Sequence, residues 1–205
     1  LELGSRGVRT VLLDDDDTVG AQGLSSRGIC HAQRSLQILE RFGVAERIRG
    51  KGVTWNEGDV FVAGERVFRF NLQPERDQRF PAFVNLQQFY VEQYLVEAIA
   101  GTAAIDLRWK NRVVDVAQHD DHVALTVETP GGRYALRARY VVGADGGHSV
   151  LREKLGARDA ESALFENHWC IADVRMPGAP GVVRKSYLDA PQNDGGAIWY
   201  HQMAD

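Results

Sequence analysis

The residues best suited to chemistry lie between Tyr140 and Arg152. Tyr140, Val141 and Val142 form a short apolar run; Gly143, Ala144, Asp145, Gly146 and Gly147 follow, then His148, Ser149 and Arg152. The pattern predicts a buried strand, a glycine turn and a helix through Leu155, with Ser149 as N-cap and Gly156 just past the end. Glycines let the backbone turn sharply and let a ligand come close. Free amides and the helix dipole favour an anion at such a point. Asp145 would repel a phosphate and suits the hydroxyls of a sugar or ribityl chain better. The competing reading is an ordinary strand-to-helix turn in which Asp145 caps the helix.

Three further positions bear on the same chemistry. Val8 to Leu13 reads as a strand and Asp14 ends it. In a dinucleotide-binding unit the second strand ends in an acid that bonds the adenosine ribose, about 20 residues after a glycine loop. No GxGxxG occurs in these 205 residues, and Asp14 also fits the start of a solvated acidic run to Asp17. Arg27 precedes an expected helix in which Ile29, Ala32, Leu36, Leu39 and Phe42 share a face and Gly43 closes the end. Its guanidinium fork could hold a pyrophosphate; an exposed arginine is the plain alternative. Arg34 reads as a solvated or structural residue on that helix. Asn85 and Gln88 have the capping-box spacing for a helix to Ala100, which accounts for Gln88 without a ligand.

The elements that must position these residues alternate in type. A hairpin is expected from Asp59–Ala63 and Arg66–Phe70, with Phe68 and Phe70 on one face. Ile105 to Trp109 reads as a strand. Arg112–Gln118, Val123–Thr129 and Arg133–Ala138 form a meander, with turns at His119–His122 and Pro130–Gly132. After Gly156 the stretches Trp169–Val174, Val182–Leu188 and Ala197–His201 read as strands. Ligands in open α/β sheets sit beyond the carboxyl ends of the strands. Asp14 and Asp145 are therefore expected at one edge of a shared parallel sheet.

The segment Gly143-Ala144-Asp145-Gly146, with Ser149 and Arg152, resembles the DG motif of the FAD-dependent aromatic hydroxylases. These are the p-hydroxybenzoate hydroxylase-like flavin monooxygenases, and the nearest look is to their phenol and 3-(3-hydroxyphenyl)propionate hydroxylase branch. Ser26-Arg27 followed by Arg34-Ser35-Leu36-Gln37-Ile38-Leu39 is similar to the segment after the family's second strand. Gln88-Phe89-Tyr90-Val91-Glu92 is similar to its Gln-x-x-Leu-Glu. The resemblance implies FAD as cofactor, NADH or NADPH as co-substrate, and molecular oxygen and a small aromatic ring as the reacting partners. It assigns Asp14 to the ribose, Arg27 and Gln88 to phosphates or nearby hydroxyls, and Gly143, Asp145 and Gly146 to the pyrophosphate and ribityl chain. Arg152, with His148, would face the nicotinamide. It names no substrate base. The implied fold is α/β: an FAD-binding Rossmann-like parallel sheet with an antiparallel meander over 1–165, a hairpin insertion at about 53–84, and the start of an antiparallel substrate domain over 166–205. Rival readings are a same-fold epoxidase, halogenase or reductase, a truncated chain without activity, and a nicotinamide-only dehydrogenase, against which the meander argues.

Composition bounds the rest. The net charge of −4 gives no footprint for nucleic acid, and no apolar run approaches the roughly 20 residues of a membrane span. The two distant cysteines, Cys30 and Cys170, suggest reduced thiols, a cytoplasmic setting and burial as small apolar side chains. The histidines make no metal-ligand spacing. Leu1 to Gly7 reads as the end of a helix, so the chain reads as an interior piece of a longer protein, incomplete at both ends. With no glycine loop, the 205 residues alone are expected not to retain FAD. A homodimer is left open.

Overall fold

Apolar residues at steps of three or four and strictly alternating runs divide the chain between helices and strands. The computed structural model describes residues 1–20, 28–73, 75, 77–156, 168–178 and 184–204. In chain order these hold α1 (Glu2–Ser5), β1 (Thr10–Leu13), β2 (Cys30–Ala32), α2 (Gln33–Glu40), α3 (Ala45–Lys51), β3 (Val53–Trp55), β4 (Glu57–Val62), β5 (Glu65–Asn71) and β6 (Phe83–Asn85). Then follow α4 (Gln88–Ala100), β7 (Ile105–Arg108), β8 (Arg112–Gln118), β9 (Val123–Thr129), β10 (Gly132–Ala138), α5 (Val150–Lys154), β11 (Arg184–Leu188) and β12 (Ile198–His201). The result is a mixed α/β fold with parallel and antiparallel sheets. No described helix is long and apolar enough to cross a membrane.

Two compact units share these elements. The first comprises 1–6, 19–103 and 176–205. Its core joins Leu36 of α2, Val44, Ala45 and Ile48 around α3, Phe80, Val84, Leu86, and Val91 of α4. The helix expected from Ile29 begins only at Gln33. Cys30–Ala32 instead pairs antiparallel with Phe83–Asn85, giving these residues the backbone partners that a first helical turn leaves unmet. The helix expected from Asn85 likewise begins at Gln88, because Asn85 ends β6 with its side chain committed elsewhere. The β4–β5 hairpin forms as expected, and the pairing of Val62 with Glu65 makes Ala63-Gly64 its two-residue turn. Both have positive φ, 49° and 89°, the twist that tight hairpins prefer. β11 lies parallel to β4 and β12 antiparallel to β11, so the four strands run β12-β11-β4-β5 in one sheet.

The second unit comprises 7–18 and 104–175. β1 and β7 pair in parallel, Thr10 opposite Ile105 through Leu13 opposite Arg108. The meander β8-β9-β10 forms as expected, with Leu125 and Val127 of β9 buried. α5 packs on β8, and Lys154 Nζ lies 3.3 Å from Asp115 Oδ1.

Two expected strands do not form. Tyr140 and Val142 are 82% and 80% exposed, and no described segment pairs with them. A parallel strand needs neighbours for its backbone groups and cover for both faces, and apolar composition supplies neither. Trp169–Val174 likewise joins no described strand ladder and is exposed. The expected common sheet edge for Asp14 and Asp145 is therefore not built: Asp14 follows β1, but Asp145 follows no strand. The cysteines also depart from expectation, since Cys30 and Cys170 are both exposed. Cys30 sits on the short strand β2 and Cys170 in the stretch 168–178, which holds no described strand.

Candidate functional site

The glycine turn is held together by local bonds. Ser149 Oγ accepts from the Arg152 amide at 3.0 Å, the N-cap bond expected from the sequence. The same hydroxyl donates to Asp145 Oδ1 at 2.5 Å, and the Leu151 amide donates to Asp145 Oδ2 at 3.1 Å. Partial desolvation pushes the Asp145 carboxyl up, but the Ser149 hydroxyl and the Leu151 and Val150 amides outweigh it and hold it below its ordinary value. Asp145 thus remains an anion that caps α5. Gly146 has φ of +72°, which a side chain would strain. Gly143 has ordinary φ, and an added Cβ there would meet Leu151 only at van der Waals distance. Arg152 folds back over the turn, donating to the carbonyls of Gly147 at 2.5 Å and Gly146 at 3.4 Å.

Among the described residues, the amides of Gly146, Gly147 and His148 donate to no protein acceptor. Three exposed donors beside a capped carboxylate offer bonds to both phosphate oxygens and hydroxyls. That donor set fits an oxygen-rich ligand such as the diphosphate and ribityl parts of FAD.

The other predicted residues lie elsewhere. Asp14 is exposed, and its Oδ1 accepts from the Asp16 amide at 3.0 Å, so part of its carboxylate serves its own turn. Asp15, Asp16 and Asp17 line an open hollow with Lys110, Arg112 and Glu128, the solvated acidic run weighed against a ribose role. Gln88, in the first unit, donates through Nε2 to Glu92 Oε1 at 2.6 Å. The second Glu92 oxygen accepts from the Gly20 amide at 3.0 Å. A Cβ on Gly28 would stand 3.0 Å from Gln88 Oε1, so the chain just after Arg27 passes close to this amide. Arg27 itself lies outside the described residues. The structure brings together Gly143, Asp145, Gly146 and Arg152 in one turn; it places Asp14 in the same unit and Gln88 in the other.

A second cluster, in the first unit, escaped sequence reasoning. Asn85 is fully buried and accepts from Trp55 Nε1 at 2.7 Å and from Cys30 Sγ at 3.3 Å, while its amide donates to the Gln202 carbonyl at 3.0 Å. Cys30 Sγ is also 3.4 Å from His201 Nδ1. Crowding of the sulfur pushes the Cys30 thiol up, against the pull of Arg184. Arg184 Nη1 lies 2.9 Å from His201 Nδ1. Burial and then the Arg184 charge push the His201 imidazole down to about 4. Burial also pushes the His31 imidazole down, against the opposing bond from its Nε2 to the Leu86 carbonyl at 3.0 Å. The available signal was strand alternation in β11 and β12, but pairing Arg184 with His201 requires their register.

His201 gives a pH dependence of known sign. Its folded value lies below the unfolded value of about 6.5. As pH falls from about 6.5 towards 4 the unfolded chain takes up a proton that the folded chain resists, so this group lowers stability across that window and adds no further loss beneath it. Urea unfolding followed through the window is expected to show a shallower decline for His201→Gln. Identical slopes would argue against a neutral His201.

With the fold and turn in place, the class of protein is an α/β cofactor-binding chain with a strand meander ahead of a capped glycine turn. The chain belongs to the FAD binding domain family, whose model matches residues 1–198. It is 28% identical to the para-nitrophenol 4-monooxygenase of Pseudomonas sp. (strain WBC-3), over 76% of this chain and 38% of that protein. It is 29% identical to a probable NADH-specific resorcinol 4-hydroxylase of Rhodococcus jostii (strain RHA1), over 85% of this chain and 33% of that protein. Among solved structures, p-nitrophenol 4-monooxygenase PnpA from Pseudomonas putida DLL-E4 superposes with a TM-score of 0.69 at 29% identity, over 76% of this chain and 39% of that one. The chain spans between a third and two fifths of the length of these relatives.

Proposed function

We propose that this chain is the flavin-holding part of an FAD-dependent, NADH- or NADPH-consuming monooxygenase that hydroxylates a small phenolic ring. The observation that carries the reading is the family match along 1–198, joined to relatives named for nitrophenol and resorcinol. Bound FAD supplies the redox chemistry; the protein binds, orients and shields it. Asp145, Gly143 and Gly146 would hold the diphosphate and ribityl region, with the exposed amides of the turn as donors. Asp14 would accept from ribose, Arg27 and Gln88 would bind phosphates or nearby hydroxyls, and Arg152 would keep the turn closed and face the nicotinamide. The Rossmann-like arrangement of 1–165 and the start of a substrate domain in 166–205 belong to the same proposal. The sheet shared by β4, β5, β11 and β12 supports placing the hairpin on the substrate side.

The test is Asp145→Ala in the intact protein, read as FAD affinity by flavin fluorescence titration. Loss of one bond to a charged acceptor is expected to weaken binding by about 1–3 kcal/mol. Asp145→Asn, which keeps an acceptor for the cap, separates the two duties. If FAD affinity is unchanged in both variants while stability falls in Asp145→Ala, Asp145 is a helix cap and nothing more.

A further inference from the structure

Three donor atoms that the flavin reading leaves unused meet where strand β2 comes up against strand β12. Cys30 stands opposite Asn85 in the β2–β6 ladder, and its Sγ lies 3.3 Å from Asn85 Oδ1. His201, the last residue of β12, brings its Nδ1 to 3.4 Å from the same sulfur. Cys30 and His201 are 171 residues apart in the chain, so no local spacing announces the pair. Asn85 is fully buried and Cys30 is exposed. The amide oxygen therefore forms the floor of the cluster and the sulfur its solvent side.

The separations are those of ligands on one small metal ion. Zinc holds a thiolate at about 2.3 Å and an imidazole nitrogen at about 2.0–2.1 Å in a tetrahedral array, which sets sulfur and nitrogen about 3.5 Å apart. An oxygen ligand at about 2.0–2.2 Å stands at nearly the same distance from the sulfur. The observed 3.4 and 3.3 Å match both edges without movement of a strand. Asn85 Oδ1 has two lone pairs. One takes the Trp55 indole N–H at 2.7 Å, and loss of the thiol proton frees the other. Among the described residues no group of three or more histidine, cysteine or carboxylate side chains could hold a metal. The amide oxygen is therefore the third ligand, and water on the exposed side the fourth. One thiolate with one imidazole suits a borderline-soft divalent ion and not Mg2+, which takes oxygen ligands. A competitor is also in place. Arg184 Nη1 stands 2.9 Å from His201 Nδ1, and its charge and its N–H both oppose a cation at that nitrogen.

We propose that Cys30, His201 and Asn85 form a binding site for a divalent ion of the zinc class, with Arg184 as the group that must turn aside for it. The Cys30 thiol gives its proton to the buffer as the sulfur–metal bond forms, and no oxidation state changes. His201 Nδ1 and Asn85 Oδ1 contribute lone pairs. The ligands come from β2, β6 and β12, which belong to two different sheets. The bound ion thus ties the sheets together and stabilises the folded chain by linkage. This site stands independently of the flavin reading.

The experiment titrates the protein with Zn2+, Cd2+ and Mg2+ by calorimetry and follows the ultraviolet thiolate-to-cadmium absorption band. Zn2+ and Cd2+ are expected to bind with release of about one proton per ion, to raise the urea midpoint, and to leave Mg2+ without measurable binding. C30S removes the anionic ligand. It is expected to abolish the cadmium band and to weaken Zn2+ binding about a hundredfold, the upper end of what loss of a mere outer partner costs. H201Q is expected to weaken it about tenfold or more. R184M, which keeps the apolar stem and drops the competing charge, is expected to strengthen binding severalfold. C170S, which alters the other thiol, should change none of these readings. Circular dichroism checks each variant, and C30A replaces C30S should the latter fail to fold. Four results overturn the proposal: no binding of either ion to the unaltered protein, binding without proton release, Zn2+ affinity that survives in folded C30S or H201Q, or weaker binding in folded R184M.

Discussion

Asn85→Ala is expected to destabilise the protein by about 2–4 kcal/mol, because it strands partners that water reaches poorly. Asn85 is 0% exposed. Its Oδ1 receives the indole N–H of Trp55 at 2.7 Å, and that ring is fixed by stacking on Phe83 at 4.7 Å. The indole cannot swing to solvent without breaking the stack, so its N–H would be left unpaired. The Cys30 thiol and the Gln202 carbonyl lose their bonds at the same time. Asn85 thus ties β2, β3 and the residue after β12 to β6 with one side chain. Urea midpoints at unchanged m-value are the measure. Trp55→Phe removes one orphan in advance, so the double variant should cost less than the sum of the two single ones. A loss under about 1 kcal/mol for Asn85→Ala would show that the indole finds another acceptor.

The same residue marks where sequence reasoning stops. Asn85 and Gln88 have capping-box spacing, and nothing local distinguishes that from a strand ending in a buried amide. Tertiary partners decide, and those lie 30, 55 and 117 residues away. The helical spacing of Ile29, Ala32 and Leu36 fails for a related reason. Only Leu36 is fully buried among them, and Cys30–Ala32 is drawn into the ladder with β6. By contrast the meander was legible throughout, since alternation and turn residues are local signals and each strand pairs with its neighbour in sequence. The capped turn was legible because Ser149, Asp145 and Gly146 interact within a few residues. Tyr140 to Val142 had the right composition for a strand, but pairing is a property of a neighbour. The Arg184 and His201 cluster depends on the register of β11 against both β12 and β4, which one strand's sequence does not encode.

Gly52→Ala is expected to cost about 3 kcal/mol, while Gly50→Ala two residues earlier gains about 0.5–1 kcal/mol. The contrast is steric. Gly52 has φ of −84° and ψ of 174°, which any residue adopts, so backbone conformation does not require glycine there. Space does. A Cβ at Gly52 would lie 2.4 Å from Val84 Cγ1, 2.7 Å from the Asn85 carbonyl oxygen and 3.0 Å from that of Ile48. Val84 is fully buried and cannot rotate into a void. The Asn85 carbonyl belongs to β6, which is paired on one side with β2 and on the other with β3. Moving it would strain both ladders, so α3 or the whole three-stranded sheet must shift instead. Gly50 lies in α3 with nothing within 4 Å of its added Cβ. There alanine only removes the backbone freedom that glycine costs a helix. Because both variants add the same methyl group, their difference of about 4 kcal/mol isolates the packing of α3 on β6. Paired urea unfolding curves give that difference directly. If the two variants unfold at midpoints within about 1 kcal/mol of each other, α3 has room to slide, and the close approach at Gly52 is not a fixed point of the fold.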